Sequence, residues 1–502
     1  MDCDSEGSLR HLRRDDFERE KDTMTTVQTI AKNTSWLVIA DIANKLLLFV
    51  LFVFMTRYLG DVGFGKYSFA VTFTMLFAIL SDLGMGGLLT REVARDKTSA
   101  DKYFGNVSLI KTILSLIVYV LIVITINLMN YPSDTRLAVY ILGFYVLFDS
   151  FTLNFFCPIY RAFEKMEYEA LVHVIKNFIT VALGLLAIYL DLGFIALISA
   201  FLIGSIFGFV VGLSMVIKRF TKPKIEIDFA FWSEFMKKAL PFAMGAIFVP
   251  IYFNIDKVML SVMKGDAVVG WYSGATTLVY ALLIIPSAFN GSIFPIMSRW
   301  YITDKKNSLK VLYEKSFKYL LMLALPIAVG TTILADRIVL LILGEEFVNS
   351  IIVLQILVWV LVFMFLNNLI GGVLGAINKQ MVGAAFAGVA ALLNIILNLL
   401  LIPEFGGVGA AVATVATEGV GFIYICHYVS THMHKISAHR VIVKPLFASL
   451  IMGVFLMLPL KDVNLVLIIL SATLIYVLSM LLIEGFVKED LNLIRQLIGD
   501  ER

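Results

Sequence analysis

Long apolar stretches alternate with short polar breaks from residue 34 almost to the end of the chain. Taking each polar break as an end gives fourteen stretches: 34–56, 67–90, 104–129, 137–159, 168–190, 193–217, 239–262, 272–298, 310–335, 350–376, 381–402, 407–431, 441–460 and 463–487. A helix that crosses a bilayer core needs about 20 apolar residues. The stretches do not alternate apolar and polar residues at every second position, which excludes the strands of a membrane barrel. The pattern predicts an all-α, polytopic membrane protein with about fourteen transmembrane helices.

The polar breaks repeat. "YLGDVGFGKYS" (Tyr58–Ser68) returns as "MKGDAVVGWYS" (Met263–Ser273), so that Gly60, Asp61, Gly65, Tyr67 and Ser68 recur 205 positions later. A second echo has an offset of 214: Ala162, Lys165, Ala170, Gly193 and Ala196 match Ala376, Lys379, Ala384, Gly407 and Ala410. Spans 1–6 therefore read as a duplicate of spans 7–12. Copies with an even number of spans face the same way, so their pseudo-twofold axis follows the membrane normal and binding sites fall between the halves. The predicted organisation is a polar N-terminal tail (1–33), a six-helix bundle (34–217), an amphipathic connector (218–238), a second six-helix bundle (239–431), two additional helices (432–487) and a short tail (488–502).

Composition agrees and charge adds orientation. The chain is 59% hydrophobic and 16% charged, with a mean hydropathy of +0.88, whereas soluble domains carry about 25% charged residues. With the N-terminus inside, the inner segments hold 31 Lys and Arg, and the outer loops only Arg57, Lys66, Arg136, Lys264, Arg337 and Lys461. That asymmetry predicts two cytoplasmic termini in a multi-pass protein of the plasma membrane. The run "RHLRRDDFEREKD" near the start lacks the apolar core of a signal peptide and reads as a disordered tail, with Met24 as an alternative start. Cys3, Cys157 and Cys426 are too scattered for a disulfide framework or a zinc site. His427, His432, His434 and His439 lack the spacing of a metal site. No cofactor, metal or nucleic-acid partner is expected. Nucleotide-binding and catalytic motifs are absent from the sequence, so no enzymatic reaction is expected.

"TRYLGDVGFGKYSFAVTF" (Thr56–Phe73), "SDLGMGGLLTREVAR" (Ser81–Arg95) and "IPEFGGVGAAVATVATEG" (Ile402–Gly419), set in two six-helix bundles plus two helices, resemble the multidrug/oligosaccharidyl-lipid/polysaccharide exporter (MOP) superfamily. Within it the chain is most similar to polysaccharide-biosynthesis flippases of the Wzx type. The resemblance implies a membrane flippase that moves a polyprenyl-(pyro)phosphate-linked saccharide from the inner to the outer leaflet, with polysaccharide polymerase or transferase machinery as partners.

Ionisable residues inside spans are costly and mark functional positions. Here they are Asp41, Lys45, Asp82, Lys111, Asp149, Lys176, Asp256, Lys257 and Glu418. Asp41 and Lys45 stand four apart, on one helical face, where they can neutralise each other. Lys111, Lys176 and Lys257 have no opposite charge at helical spacing, so each requires a partner on another helix or a ligand. A sugar (pyro)phosphate supplies such a ligand. Lys45, Lys111, Lys176 and Lys257 are thus the candidate substrate-binding residues. Asp41, Asp149, Asp256 and Glu418 are the candidate ion-coupling residues, for H+ or Na+. Pro250, Pro286, Pro295 and Pro326 are candidate bends. Phe229, Phe231, Trp232, Phe235 and Met236 among lysines predict that the connector lies on the inner leaflet. Two other readings stay open: a cation-coupled multidrug antiporter, whose pocket would be acidic and nearly free of lysine, and an integral-membrane glycosyltransferase or polysaccharide ligase, which would carry a long outer loop.

Overall fold

The computed structural model describes residues 5–221, 227–303, 305–432, 438–458 and 463–485. Cys3, His434, Lys461, part of the connector (222–226) and the tail 488–502 lie outside the described residues. The described residues form helices and no strands. In order these are α1 (Ser5–Ala78), α2 (Met85–Arg95), α3 (Ala100–Leu128), α4 (Ser133–Phe151), α5 (Cys157–Ala162), α6 (Met166–Tyr189), α7 (Gly193–Arg219) and α8 (Phe229–Lys264). There follow α9 (Asp266–Ala281), α10 (Ile284–Ile302), α11 (Lys306–Ile333), α12 (Ala335–Ile342), α13 (Ser350–Leu357), α14 (Val360–Ala376), α15 (Gln380–His432), α16 (Ala438–Leu456) and α17 (Leu465–Leu482).

Ten helical segments among the described residues are long and apolar enough to cross a membrane, against fourteen expected stretches. Two of the ten, Ile39–Ser81 and Met381–His432, each run through a pair of expected spans. Each pair is broken by one left-handed glycine, Gly60 (φ 66°) and Gly406 (φ 55°). The expected stretches 239–262 and 441–460 lie on α8 and on α16, whose apolar part Val441–Leu456 is short. The polar run expected as a disordered tail is instead helical from Ser5. Its Glu, Arg, Lys and Leu content has high helix propensity, which the reading of its charge alone overlooked.

The chain forms two compact units, one of Met1–Phe52 with Phe77–Ala243 and one of Val53–Leu76 with Met244–Arg502. In the first unit a core cluster joins Leu88, Phe104, Phe155, Tyr160 and Val216. The start of α8 belongs to it. Phe231 and Phe235 pack on Tyr103 at ring distances of 5.1 and 5.9 Å, and Trp232 Nε1 donates to the buried Asn106 Oδ1 at 2.9 Å. The aromatic face expected to lie on lipid is therefore turned into protein, leaving Phe229 exposed. Polar anchoring explains this: Asp228 caps α8 by accepting from Phe231 N at 3.0 Å and pairs with Lys102 at 3.1 Å.

The repeats are legible in the backbone. Gly60 (φ 66°, ψ −174°) and Gly265 (φ 85°, ψ 179°) share one conformation, one that favours glycine. Glu164 (φ 59°) and Asn378 (φ 57°) share another. They close the helices before them with matching caps, Lys165 N to Tyr160 O at 2.9 Å and Lys379 N to Leu374 O at 2.7 Å. Asn130 (φ 56°) and Gly344 (φ 103°) add a third pair at the same offset of 214.

Within the second unit the two "GD" turns touch. A Cβ on Gly65 would lie 1.8 Å from the Asp266 carbonyl oxygen, and one on Gly270 would lie 2.0 Å from that of Asp61. Equivalent residues thus contact each other reciprocally, the mark of twofold packing. Trp271 Nε1 closes the contact by donating to Asp61 Oδ2 at 2.7 Å.

Candidate functional site

The first unit carries a ladder of polar side chains between α4–α5 and α6. Glu169, His173 and Lys176 follow one another at i, i+4 and i+7, which is one face of a helix. Arg161 Nε donates to Glu169 Oε2 at 2.9 Å, Cys157 Sγ lies 3.7 Å from His173 Nε2, and Lys176 Nζ donates to Asp149 Oδ1 at 2.5 Å. Tyr145 OH donates to the other Asp149 oxygen at 3.5 Å. Between Asp149 and Cys157 the chain makes a π-helical turn, Thr152–Phe156, a feature common at functional positions. Gly208 of α7 makes room for the Lys176 stem: a Cβ there would lie 3.1 Å from Lys176 Cβ.

Nearer the start of this unit, Lys111 Nζ lies 3.2 Å from Asp82 Oδ1, with the lysine side chain 0% exposed and the aspartate 17%. Beside it Ser81 and Ser150 hydroxyls share a hydrogen bond of 2.9 Å. Lys111 and Lys176, for which no partner was legible in helical spacing, thus find carboxylates on neighbouring segments. Asp41 and Lys45 form the expected i, i+4 pair at 2.8 Å, and both side chains are about half exposed.

In the second unit the carboxylates meet neutral donors. Asp256 is buried and accepts from Tyr272 OH at 2.6 Å, Thr414 Oγ1 at 2.9 Å and Asn398 Nδ2 at 2.6 Å. Among the described residues it makes no ion pair. Asn398 Oδ1 and Asn394 Nδ2 next to it are buried without a hydrogen-bond partner. Glu418 accepts from Tyr252 OH at 2.8 Å and Asn367 Nδ2 at 2.6 Å. Lys257 makes no ion pair among the described residues, so Asp256 and Lys257 do not neutralise each other by contact. The sequence reading missed Tyr145, Tyr252, Tyr272, Asn367, Asn398 and Thr414. A search for hydroxyl and amide side chains inside apolar spans would have found them.

Cavities open within each unit. One of about 520 Å³ lies in the second unit among α11, α16 and α17, lined by Met322, Pro326, Met452, Leu456, Ala472 and Tyr476. Another of about 420 Å³ lies in the first unit and is walled by Phe148, Phe151, Phe155 and Phe209 beside Ser115.

Residues 30–301, more than half of the chain, match the pattern of the family described as "Polysaccharide biosynthesis protein". The chain belongs to that family. Residues 241–400 also match the MatE family. The chain is 25% identical over 403 residues to the probable low-salt glycan biosynthesis flippase Agl15 of Haloferax volcanii, covering 80% of this chain and 84% of that one. It is 22% identical over 404 residues to the capsular polysaccharide biosynthesis protein CapF of Staphylococcus aureus, covering 78% and 98%. Its fold is that of the lipid II flippase MurJ in an inward closed conformation, with a TM-score of 0.75 at 20% identity over 88% of this chain and 97% of that one. This family member is a Wzx-type multi-pass membrane protein of the MOP superfamily.

Proposed function

We propose that this polysaccharide-biosynthesis flippase moves a polyprenyl-(pyro)phosphate-linked oligosaccharide from the inner to the outer leaflet of the cell membrane, by alternating access coupled to an H+ or Na+ gradient. The observation that carries the substrate class is the set of cationic side chains in apolar spans, Lys45, Lys111, Lys176 and Lys257. A drug-cation pocket has no use for them, whereas a (pyro)phosphate head group does. Lys45 stands about half exposed beside Asp41, so a head group reaches it without entering the packed core. Lys111 and Lys176 pair with Asp82 and Asp149, and a phosphate competes for them by replacing a carboxylate. The apolar cavity among α11, α16 and α17 has the chemistry to receive an isoprenoid chain.

For the coupling ion, Asp256 offers a carboxylate ringed by hydroxyls and amides, with no contacting lysine or arginine among the described residues. A small cation supplies the missing positive charge. Asp41, Asp149 and Glu418 are further exchange positions. Both termini are cytoplasmic in this reading, and polymerase or transferase machinery acts on the delivered saccharide.

The test is reconstitution. Vesicles loaded with a fluorescent polyprenyl-diphosphate saccharide should lose inner-leaflet label when an ion gradient is imposed. Failure to flip any lipid-linked saccharide, together with gradient-driven efflux of an organic cation, would establish the antiporter reading that the MatE match keeps open.

A further inference from the structure

We propose that Cys157, Glu169 and His173 form a binding site for zinc(II). The three sit where α5 meets α6, and their ligand atoms lie within 4.8 Å of one another. Cys157 and Glu169 are buried, so this is no chance gathering of surface carboxylates. Cys157 Sγ and His173 Nε2 are 3.7 Å apart. A tetrahedral zinc with bonds of about 2.3 Å to sulfur and about 2.0 Å to nitrogen sets its sulfur–nitrogen edge near 3.6 Å. The observed separation is that edge.

The third ligand is already oriented. Arg161 grips Glu169 through Nε at 2.9 Å and a terminal nitrogen at 2.5 Å. Each carboxylate oxygen keeps a second lone pair, so an oxygen can bind zinc while the guanidinium holds it in place. Such outer hydrogen bonds are usual for metal ligands. Three protein ligands of the Cys, His and Glu types suit zinc rather than calcium or magnesium, which prefer all-oxygen sites. The fourth position is left for water. Bound zinc would staple α5 to α6 across the Phe163–Lys165 turn. The alternative is a bare thiol–imidazole hydrogen bond beside a self-sufficient Arg161–Glu169 pair.

Cobalt(II) separates the two. In the full-length protein purified with Cys3→Ser and Cys426→Ser, Cys157 is the remaining thiol. Titration with Co2+ should give a thiolate-to-metal charge-transfer band that saturates near one ion per chain and is displaced by Zn2+. His173→Gln and Glu169→Gln should each weaken binding at least about tenfold. Because these variants can fail to fold, a second measurement uses the unvaried site: Zn2+ should raise the thermal unfolding midpoint, and a chelator should reverse the rise. Absence of the band, a band unchanged by His173→Gln, or a midpoint unmoved by Zn2+ would overturn the site.

Discussion

Gly65 lies against Asp266 as Gly270 lies against Asp61, each glycine facing the backbone of the other's turn. The neighbouring atom in both cases is a carbonyl oxygen, which cannot swing away as a side-chain tip can. Gly65→Ala and Gly270→Ala should therefore each destabilise the protein by about 1–3 kcal/mol, the usual scale of overpacking. Gly371→Ala, at an exposed position inside α14 where a Cβ meets nothing within 4 Å, is the control and should be neutral or stabilising by up to about 1 kcal/mol. Thermal unfolding in detergent reads both. Equal effects at Gly65 and Gly371 would show that the contact is not formed.

The Lys111–Asp82 pair separates architecture from substrate binding. Lys111→Gln leaves a carboxylate uncompensated and should cost about 3–5 kcal/mol, seen as reduced membrane abundance. Replacing both partners, Lys111→Met with Asp82→Leu, should restore abundance because no charge is left alone. Flipping should stay lost in the double variant if Lys111 holds the anionic head group. Full flipping by the restored protein would assign the pair to architecture alone.

Asp256→Asn removes the charge while keeping a hydrogen-bonding group opposite Tyr272, Thr414 and Asn398. Reconstituted protein should then flip no faster with an imposed ion gradient than without one. A wild-type response to the gradient would remove Asp256 from coupling.

The Asp228 cap should loosen in acid. The Phe231 N–H, followed by the Lys102 ammonium, lowers its pKa below the ordinary 3.8. A depressed carboxylate contributes stability that is present above its ordinary value and is lost as pH falls through the lower folded value. Limited proteolysis with an acid-active protease should cut near residues 218–238 faster as the pH drops through that window. Asp228→Asn should flatten the dependence, and an unchanged profile would show that the cap carries no weight.

Much of this architecture was legible in the sequence. Residues such as Gly60 and Gly265 recur because a left-handed turn admits few alternatives, so a backbone requirement left a mark in the sequence. The Glu164–Asn378 pair shows the opposite: one conformation carried by different residues, visible only in three dimensions. Lys111 and Lys176 stood out as lone charges, but their partners Asp82 and Asp149 lie 29 and 27 positions away, beyond any helical period. The docking of the connector was hidden because Phe231 and Phe235 suit a membrane surface as well as a protein one. What decided between them was Asn106, a polar residue buried in the wall they meet.

The π-helical turn at Thr152–Phe156 acts as a phase shifter in the fourth expected span. Eight residues separate Asp149 from Cys157, and in a regular α-helix they would point about 80° apart. A turn closed by i→i+5 hydrogen bonds takes up extra residues without extra rotation, which brings both side chains round to the same neighbour, α6. The turn therefore carries one residue more than the register of the span requires. Removing one residue from 152–156 would let a regular α-helix replace the turn, with Asp149 and Cys157 about 20° apart, so that Cys157 and Arg161 would still face His173 and Glu169. A relative one residue shorter at this point would lose the π turn and keep the same side chains facing each other.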